Sequence, residues 1–362
     1  MENELRELRE FETTTFEIID ADVISYYPSL ILRTGIAPQQ IGQQFQHIYR
    51  QWYDRRLAAK RGGDKKTANS LKTLLNGTFG KLGSMWSIFY APTEMIQVTV
   101  TGQLALLMLI EMLELHGVQV VSANTDGIVL RTRRDMAWLR DECIEWWESV
   151  TQFETERTDY RLLASRDVNS YIAVKPDGEV KLKGAFAPPE PGASGWPNPT
   201  GQVSVNAVVE YLAHGTPLHD TVYACKDVRQ FVHVRQVKGG GSYLATPQMP
   251  KSTTLGAMRA HITAAGVPLS PYGIDNANLR EIYATTRERQ LAAAQYLGKA
   301  VRWYYATGSQ GCIITPAGGL VALTGGCRPL MELPDTMPDD VDREWYVNEA
   351  RSLLRDLGVS YD

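Results

Sequence analysis

The sequence predicts an α+β protein, and three observations support this class. Segments with the alternating pattern of strands are joined by short turns, as in antiparallel sheets. Long segments with helical periodicity lie between them. The 362 residues suffice for two or three domains, and 44% hydrophobic and 22% charged residues are ordinary for a globular protein. This composition excludes a disordered, collagen-like or disulfide-framework chain.

The first predicted strand carries carboxylates at its end. Residues 1–14 are polar and acidic, and we interpret them as the remnant of a preceding segment. From Phe16 onward the residues alternate as in a strand, with Asp20 and Asp22 on one face. Two carboxylates on one face are costly to bury without partners. The end of this strand is therefore a candidate functional site.

A basic helical hairpin follows this strand. Hydrophobic residues spaced by four and three predict a helix over residues 40–61, Gly62 and Gly63 end it, and a second helix follows over residues 65–79. The formal net charge of the whole chain is −4. The hairpin is nevertheless rich in cations, namely Arg50, Arg55, Arg56, Lys60, Arg61, Lys65, Lys66 and Lys72. An anionic ligand is therefore expected at this local patch.

Helices and antiparallel strands alternate over the next hundred residues. A long helix is predicted over residues 94–115. Its most apolar stretch is interrupted by Glu111 and Glu114, so we expect a buried helix rather than a membrane span. Asp126 and Gly127 form the turn of a predicted β-hairpin. A helix over residues 136–150 and strands over residues 170–174 and 180–183 follow.

The last third is predicted to be mainly helical. The stretch 188–200 is rich in Pro, Gly and Ser and indicates a domain boundary. Helices are expected over residues 203–214, 276–287, 289–307 and 342–357. The basic run before glycines 239–241 suggests a loop in which Arg235 and Lys238 grip phosphates. The aromatic run 302–305 is expected in the core.

The cysteines bear on the cellular compartment and on metal binding. Cys143, Cys225, Cys312 and Cys327 lie far apart and form no Cys-x-x-Cys pair. This spacing argues against a cysteine-ligated zinc site. It fits a reducing compartment, and we expect a cytoplasmic protein.

Three clusters in a fixed order predict phosphoryl transfer. They begin at Asp22, Lys72 and Asn124. Each alone is more often an ordinary feature, such as a strand-end aspartate, a solvated lysine or a turn chosen for its φ angles. Together they supply carboxylates from separate strands, which can hold two Mg²⁺ ions, with Mn²⁺ as a substitute.

Cations at helical spacing suit a triphosphate. Arg56 and Lys60 lie four residues apart on the first hairpin helix, and Lys72, Asn76 and Phe79 share one stripe of the second. Lysine binds phosphate as a point charge and arginine as a bidentate fork. An aromatic ring beside the lysine can stack on an incoming base.

The three clusters resemble the polymerase motifs of family B DNA polymerases, particularly those of phages. The family's first motif reads DxxSLYPS, and this sequence has DVISYYPS from Asp22. The second reads KxxxNSxYG and the third DTDS, where this sequence has KTLLNGTFG from Lys72 and NTDG from Asn124. The resemblance covers residues 16–185 firmly and the remainder loosely.

The resemblance implies a right-hand polymerase core that extends a primer with deoxynucleotides. The antiparallel-sheet palm would be residues 15–39 and 82–187, the helical-hairpin fingers 40–81, and the mostly helical thumb 188–362. Metal binding is implied for Asp22, Val23, Thr125 and Asp126. Nucleotide binding is implied for Ser25, Tyr27, Arg56, Lys60, Asn76 and Phe79. Lys72 joins Asp22 and Asp126 as a catalytic residue, and Tyr27 would exclude a ribose 2′-hydroxyl.

Several positions depart from the family pattern. Asn124 replaces the first aspartate of the third motif and removes one negative charge, yet we expect activity to survive because the second aspartate is the more important ligand. Gly77 replaces a serine. Phe79 replaces a tyrosine, which keeps stacking but removes a hydroxyl.

The family's Lys-x-Tyr motif falls at residues 169–171, where only its tyrosine, Tyr171, is present. Lys181 and Lys183 on the following strand are expected to contact the primer strand in place of the lysine. If they do not, they belong to a solvated edge strand.

Only about 20 residues precede Asp22, so the paired carboxylate motifs of a proofreading exonuclease have no room. Three explanations stay open: a polymerase without proofreading, a fragment of a longer polymerase, or a polymerase chain served by a separate exonuclease subunit. The expected partners are primer–template DNA and dNTPs, and no membrane.

Two other functions are weighed against synthesis. A non-catalytic DNA-binding subunit is suggested by Asn124 and the missing exonuclease. A two-metal nuclease would use the same carboxylates but leaves Lys72, Asn76 and Phe79 on a basic hairpin unexplained.

Overall fold

The predicted antiparallel strands form two sheets in the first of two structural units. A computed structural model describes residues 15–188, 201–269 and 275–361. The units are Met1–Lys183 and Gly184–Asp362. The predicted remnant 1–14 and nearly all of the predicted boundary segment 188–200 lie outside the described residues. The division into palm, fingers and thumb stays a prediction.

The first unit combines helices with antiparallel sheets, in agreement with the predicted α+β class. Its elements are β1 (Phe16–Val23), α1 (Tyr26–Thr34), α2 (Gln43–Arg61), α3 (Lys65–Leu82), α4 (Pro92–Leu115), β2 (Gln119–Ala123), β3 (Gly127–Arg133), a 3₁₀ turn (Arg134–Met136), α5 (Ala137–Thr151), β4 (Thr155–Tyr160), β5 (Leu162–Asp167), β6 (Ser170–Val174) and β7 (Val180–Leu182). One sheet has the order β2-β3-β1-β4 and the other β5-β6-β7. Their predicted hairpins around Asp126 and Asp177 are present.

Helix α4 lies at the centre of the core of this unit. Its buried face consists of Val98, Gly102, Leu106, Leu109 and Leu113. The Tyr26 hydroxyl donates to the Gly102 carbonyl at 2.6 Å, and the Trp147 indole donates to the Ala105 carbonyl at 2.7 Å. A Cβ on residue 102 would lie 2.9 Å from Leu30 Cδ1. Glycine therefore allows α1 to pack closely against α4.

The opposite face of α4 is exposed, so the expectation of a buried helix was only half right. Ile96 and Leu104 are 64% and 60% exposed, and Val100 and Leu107 lie on the same stripe. By length and composition alone α4 is apolar enough to cross a membrane, the one such helix in the described ranges. The charges of Glu111 and Glu114 are too few to exclude α4 by composition. In the structure, its other face is core.

The basic hairpin forms as predicted from α2 and α3. Asp64 caps α3 by accepting a hydrogen bond from the Thr67 backbone N–H at 3.0 Å. Gly63 takes a left-handed φ of 75° in the turn between the helices. The buried Tyr49 hydroxyl donates to the Leu75 carbonyl at 2.9 Å. This contact fixes the two helices together and leaves their polar faces free for ligands.

The second unit is not as purely helical as expected. Its elements are a 3₁₀ turn (Gly184–Phe186), α6 (Gln202–His214), α7 (Leu218–Ala224), a 3₁₀ turn (Val228–Phe231), β8 (His233–Leu244), α8 (Leu255–Ala264), α9 (Asn276–Ala292), β9 (Gln295–Tyr305), β10 (Cys312–Ile314), β11 (Cys327–Pro329) and α10 (Arg343–Asp356). The strands form an antiparallel sheet of order β10-β8-β9-β11. The predicted helix over residues 289–307 was wrong beyond Ala292, because residues 295–305 form β9, which pairs antiparallel with β8 and β11. The aromatic run is core, as expected.

The predicted phosphate-gripping loop was also wrong, because its residues belong to β8. The register between β8 and β9 shifts from Gln236 to Gly241, which is a bulge. A Cβ on residue 241 would lie 2.6 Å from Val301 Cγ1, so the glycine serves close packing. The Arg235 guanidinium donates to the Ala322 carbonyl at 2.8 Å. DNA contact by Arg235 and Lys238 stays a prediction, without a loop to support it.

A buried ion pair links the two sheets of the first unit. Asp20 is 3% exposed, and its Oδ2 accepts hydrogen bonds from Lys181 Nζ at 3.0 Å and the Tyr160 hydroxyl at 2.8 Å. Lys181 Nζ also donates to the Tyr160 oxygen at 2.8 Å. These partners offset the cost of burying Asp20. Lys181 is therefore engaged by Asp20 and Tyr160, although its side chain is 26% exposed. Its contact with the primer strand stays a prediction.

Replacement of Lys181 by methionine leaves the Asp20 carboxylate buried without its cation. We expect a loss of about 3 kcal/mol in the free energy of unfolding, measured by urea denaturation. Lys175→Met is the matched control, because Lys175 pairs at 2.6 Å with the exposed Glu179. That pair should contribute no more than about 1 kcal/mol. Equal losses in the two variants would contradict the structural role of Lys181.

Candidate active site

Pairing of β1 with β3 places Asp22 beside Asp126. Asp22 is opposite Gly127 in the ladder, and the Val23 backbone N–H donates to the Asp126 carbonyl at 2.7 Å. A Cβ on residue 127 would lie 2.2 Å from Asp22 Oδ1. The close approach of the Asp22 side chain to β3 therefore requires glycine at this position. The two predicted metal ligands lie at adjoining strand ends.

Asn124 builds the turn that carries Asp126. Its Oδ1 accepts hydrogen bonds from the backbone N–H groups of Asp126 at 2.9 Å and Gly127 at 2.7 Å. The lost charge of Asn124 predicts a weaker metal site, but the amide acts here as a positioning residue. Its side chain lines a separate small cleft that also includes Asp20 and Tyr171.

Glu156 is a third carboxylate at the site, which the sequence analysis missed. It lies opposite Asp22 in the pairing of β1 with β4. Its Oε2 lies 2.8 Å from Lys60 Nζ on α2. No local sequence pattern predicts Glu156 at this site, because its position depends on the pairing of β1 with β4, which are more than 130 residues apart at this point.

A cavity of about 540 Å³ lies between the hairpin and the strand ends. It brings together most of the predicted site residues: Asp22, Val23, Ser25, Tyr27, Arg56, Lys60, Lys72, Asn76 and Asp126. It also includes residues that were not predicted: Ile24, Tyr26, Gly63, Lys65, Ala68, Asn69 and Glu156. Thr125, although described, is not part of its lining.

Charge is divided across this cavity. Carboxylates come from the strands and their turn, whereas the cations come from α2 and α3. Lys60 is paired with Glu156, but among the described residues Arg56, Lys65 and Lys72 have no ion-pair partner for their side chains. Burial lowers the pKa of Arg56, although not enough to remove its charge. The hairpin wall can therefore accept an anion.

Ser25 is a strained residue in the cavity wall. Its φ of 54° is left-handed, which costs a non-glycine residue on the order of 1 kcal/mol or more. Its Oγ is buried and has no hydrogen-bond partner among the residues that the structure describes. A buried polar atom without a partner at this position is consistent with a hydrogen bond to a bound ligand.

Tyr27 and Phe79 form an aromatic wall at the inner end of the stripe. Their rings stack with centroids 4.3 Å apart and an interplanar angle of 13°. Tyr27 lines the cavity, whereas Phe79 packs behind it. Burial, and then the charge of Asp126, raise the pKa of Tyr27, so its hydroxyl stays protonated near the carboxylates.

The strand end concentrates negative charge in a way that fits a divalent cation. Burial, followed by the charges of Asp20 and Asp126, raises the pKa of Asp22 to about 6, with Lys181 acting in the opposite direction. The described ranges hold no cluster of three or more His, Cys, Asp or Glu side chains able to bind a metal unaided. Mg²⁺ readily takes a few carboxylates and completes its shell with water and phosphate.

The remaining predicted contacts lie outside the cavity. Tyr171 is in the small cleft with Asp20 and Asn124, and its carbonyl accepts the Lys183 backbone N–H at 3.0 Å. The Lys183 side chain is exposed, and its charge lowers the pKa of Asp22, so it lies near the carboxylates. Arg235 and Lys238 belong to the second unit.

No protein-family model and no curated protein matches this sequence. A solved structure does match: that of the family B DNA polymerase from the hyperthermophilic archaeon Pyrobaculum calidifontis, with a TM-score of 0.50 and 14% identity. The fold of this chain is similar to that of a family B DNA polymerase. The match covers 96% of this chain and 46% of the archaeal one, so this chain spans about half the length of that protein.

Replacement of Asp22 by asparagine should stabilise the protein above pH 6 in the absence of divalent cations. The pKa of Asp22 is raised from 3.8 to about 6, so its ionisation lowers stability as pH rises through this interval. The gain should shrink towards pH 4. Thermal unfolding at several pH values, in EDTA and in Mg²⁺, measures it.

Mg²⁺ should stabilise the wild type and not Asp22→Asn. Asp135→Asn is the control. The hydrogen bond from Arg133 lowers the pKa of Asp135, so ionisation of Asp135 stabilises the fold. Asp135→Asn should therefore destabilise the protein, whereas Asp22→Asn should stabilise it. An equal Mg²⁺ response in wild type and Asp22→Asn would remove Asp22 from the metal site.

Proposed function

We propose that this chain performs template-directed DNA synthesis, the transfer of dNMP from dNTP to a primer 3′-hydroxyl with release of pyrophosphate. The observation that carries the proposal is the cavity between carboxylates on neighbouring strands and cations at helical spacing. The similarity of fold to a family B DNA polymerase supports the same chemistry. The two-metal mechanism and the residue roles below belong to the proposal.

Asp22, Asp126 and the Val23 carbonyl would hold Mg²⁺, which when bound stabilises charge on the attacking and leaving oxygens. The unpaired Ser25 Oγ and the raised pKa of Asp22 fit a cavity whose charge is completed by a metal–nucleotide ligand. Asn124 holds the Asp126 backbone in its turn and needs no negative charge for that task.

The hairpin would bind and neutralise the triphosphate. Arg56 and Lys72 line the cavity without an ion pair among the described residues, although the charge of Glu156 also acts on Arg56. Lys60 would exchange the Glu156 carboxylate for phosphate. The new bond joins the primer O3′ to the α-phosphorus, and the bond between the α-phosphorus and its bridging oxygen breaks. Lys72 neutralises charge on the leaving pyrophosphate. Catalysis is therefore mainly positioning and charge neutralisation.

Tyr27 would set the sugar specificity of the site. Its ring is held flat against Phe79 and lines the cavity beside Asp126. A ribose 2′-hydroxyl would meet this rigid wall, so deoxynucleotides are the proposed substrates. Asn76 lies one turn from both Lys72 and Phe79 on α3 and would help to shape the pocket for the new base pair.

Primer–template DNA is the proposed partner. Tyr171 and the exposed Lys183 would contact the primer strand, and Arg235 and Lys238 the product duplex. Proofreading is not proposed for the cavity described here. An exonuclease on a separate subunit or on another part of the protein would supply it.

The test is extension of a labelled primer on a DNA template with Mg²⁺ and dNTPs. Wild type should add the templated nucleotides, and Asp126→Ala should abolish extension, because a metal carboxylate is lost. Asp135→Ala, which removes an exposed carboxylate outside the cavity, should extend like wild type.

Two outcomes would contradict the proposal. DNA binding without extension by wild type would favour a non-catalytic DNA-binding subunit. Metal-dependent shortening of the primer without any requirement for dNTPs would favour a nuclease.

A further inference from the structure

Helix α3 carries the same pair of residue types twice along its cavity face. Lys65 and Asn69 precede Lys72 and Asn76 by seven residues, and all four line the cavity. Seven residues are nearly two full turns, so the two pairs point in almost the same direction, about 10 Å apart along the helix axis. The inner pair is assigned to the nucleotide above, and the outer pair has no assigned role.

The outer pair is free to bind a ligand. Among the described residues, neither the Lys65 ammonium nor the Asn69 amide has a hydrogen-bond or ion-pair partner. The adjacent carboxylate, Asp64, is occupied in capping α3 at Thr67. An ammonium with an amide one turn away offers donors to phosphate oxygens and carries no negative charge of its own.

The position of Lys65 and Asn69 on α3 favours a linear polyphosphate as the bound anion. Phe79 stacks on Tyr27 at the inner end of the stripe, so a sugar there directs the phosphates outward along α3, past Lys72 towards Lys65. A linear polyphosphate can reach both pairs from this cavity.

We propose that Lys65 and Asn69 form a second phosphate-binding subsite, which holds the terminal phosphate of the nucleotide and then the released pyrophosphate. This inference rests on the proposed function, because synthesis is what creates pyrophosphate in the cavity. Lys65 and Asn69 thereby control how tightly the product is retained after each addition.

The experiment measures inhibition of primer extension by added pyrophosphate. Lys65→Ala should raise the inhibition constant of pyrophosphate by about 5–10-fold, because a charge-assisted contact is lost, and Asn69→Ala by about 3-fold. The KM for dNTP should rise by a smaller factor. Lys66→Ala is the matched control, since Lys66 is the next residue, is equally exposed and lies outside the cavity lining.

A second measurement separates this inference from the proposed function. Calorimetry with pyrophosphate and Mg²⁺ alone, without DNA, should show binding to wild type and to Lys66→Ala and weaker binding to Lys65→Ala. That result without any primer extension would overturn DNA synthesis and retain the subsite.

Extension with Lys65→Ala indistinguishable from Lys66→Ala would overturn the subsite and retain DNA synthesis. Weaker primer–template binding by Lys65→Ala, with its pyrophosphate constants unchanged, would assign the pair to DNA and also overturn the subsite.

Discussion

The antiparallel pairing of β1 with β3 brings like charges together at one sheet end, and the first unit is arranged around that constraint. Asp22 approaches β3 so closely that only glycine fits at position 127. Burial, followed by repulsion from Asp20 and Asp126, raises the pKa of Asp22 to about 6. Such a concentration of carboxylates is unfavourable unless a positive charge offsets it, and we propose that a divalent cation with a nucleotide does so.

The protein treats its carboxylates differently according to their place on β1. Asp20 is paired with the Lys181 ammonium and accepts a hydrogen bond from Tyr160, and it serves the fold. Asp22, two residues further, receives no such partner and faces the cavity. The neighbouring hairpin supplies cationic side chains on a frame held by the Tyr49 hydrogen bond and the Asp64 cap. The Asp20 ion pair therefore supports the sheet, whereas in our proposal the charge of Asp22 is offset by the ligand.

Local order and spacing were enough to predict most of the residues that the cavity brings together. They could not predict residues that reach the cavity only through pairing of distant strands. Asp22, Lys72, Asn76 and Asp126 lie in short motifs on elements that formed close to their expected bounds. Glu156 could not be predicted, because only the pairing of β1 with β4 brings it to Asp22. Asn124 was judged by its lost charge, although its amide acts on the turn backbone.

Other errors have equally specific causes. Lys65 and Asn69 also line the cavity, and they lie seven residues before Lys72 and Asn76 on the same helix. Strand β9 was taken for a helix because it comes directly after α9, whose helical pattern hides the change of period. The glycines of β8 suggested a loop, since a bulge and a loop both require residues without a side chain.

The most direct test of this account is a crystal structure of the chain with primer–template DNA, a dNTP and Ca²⁺ in place of Mg²⁺. We expect the cation between Asp22 and Asp126, the triphosphate along Arg56 and Lys72, and the sugar against Tyr27. A nucleotide bound outside this cavity, or a cation that contacts neither Asp22 nor Asp126, would contradict the account.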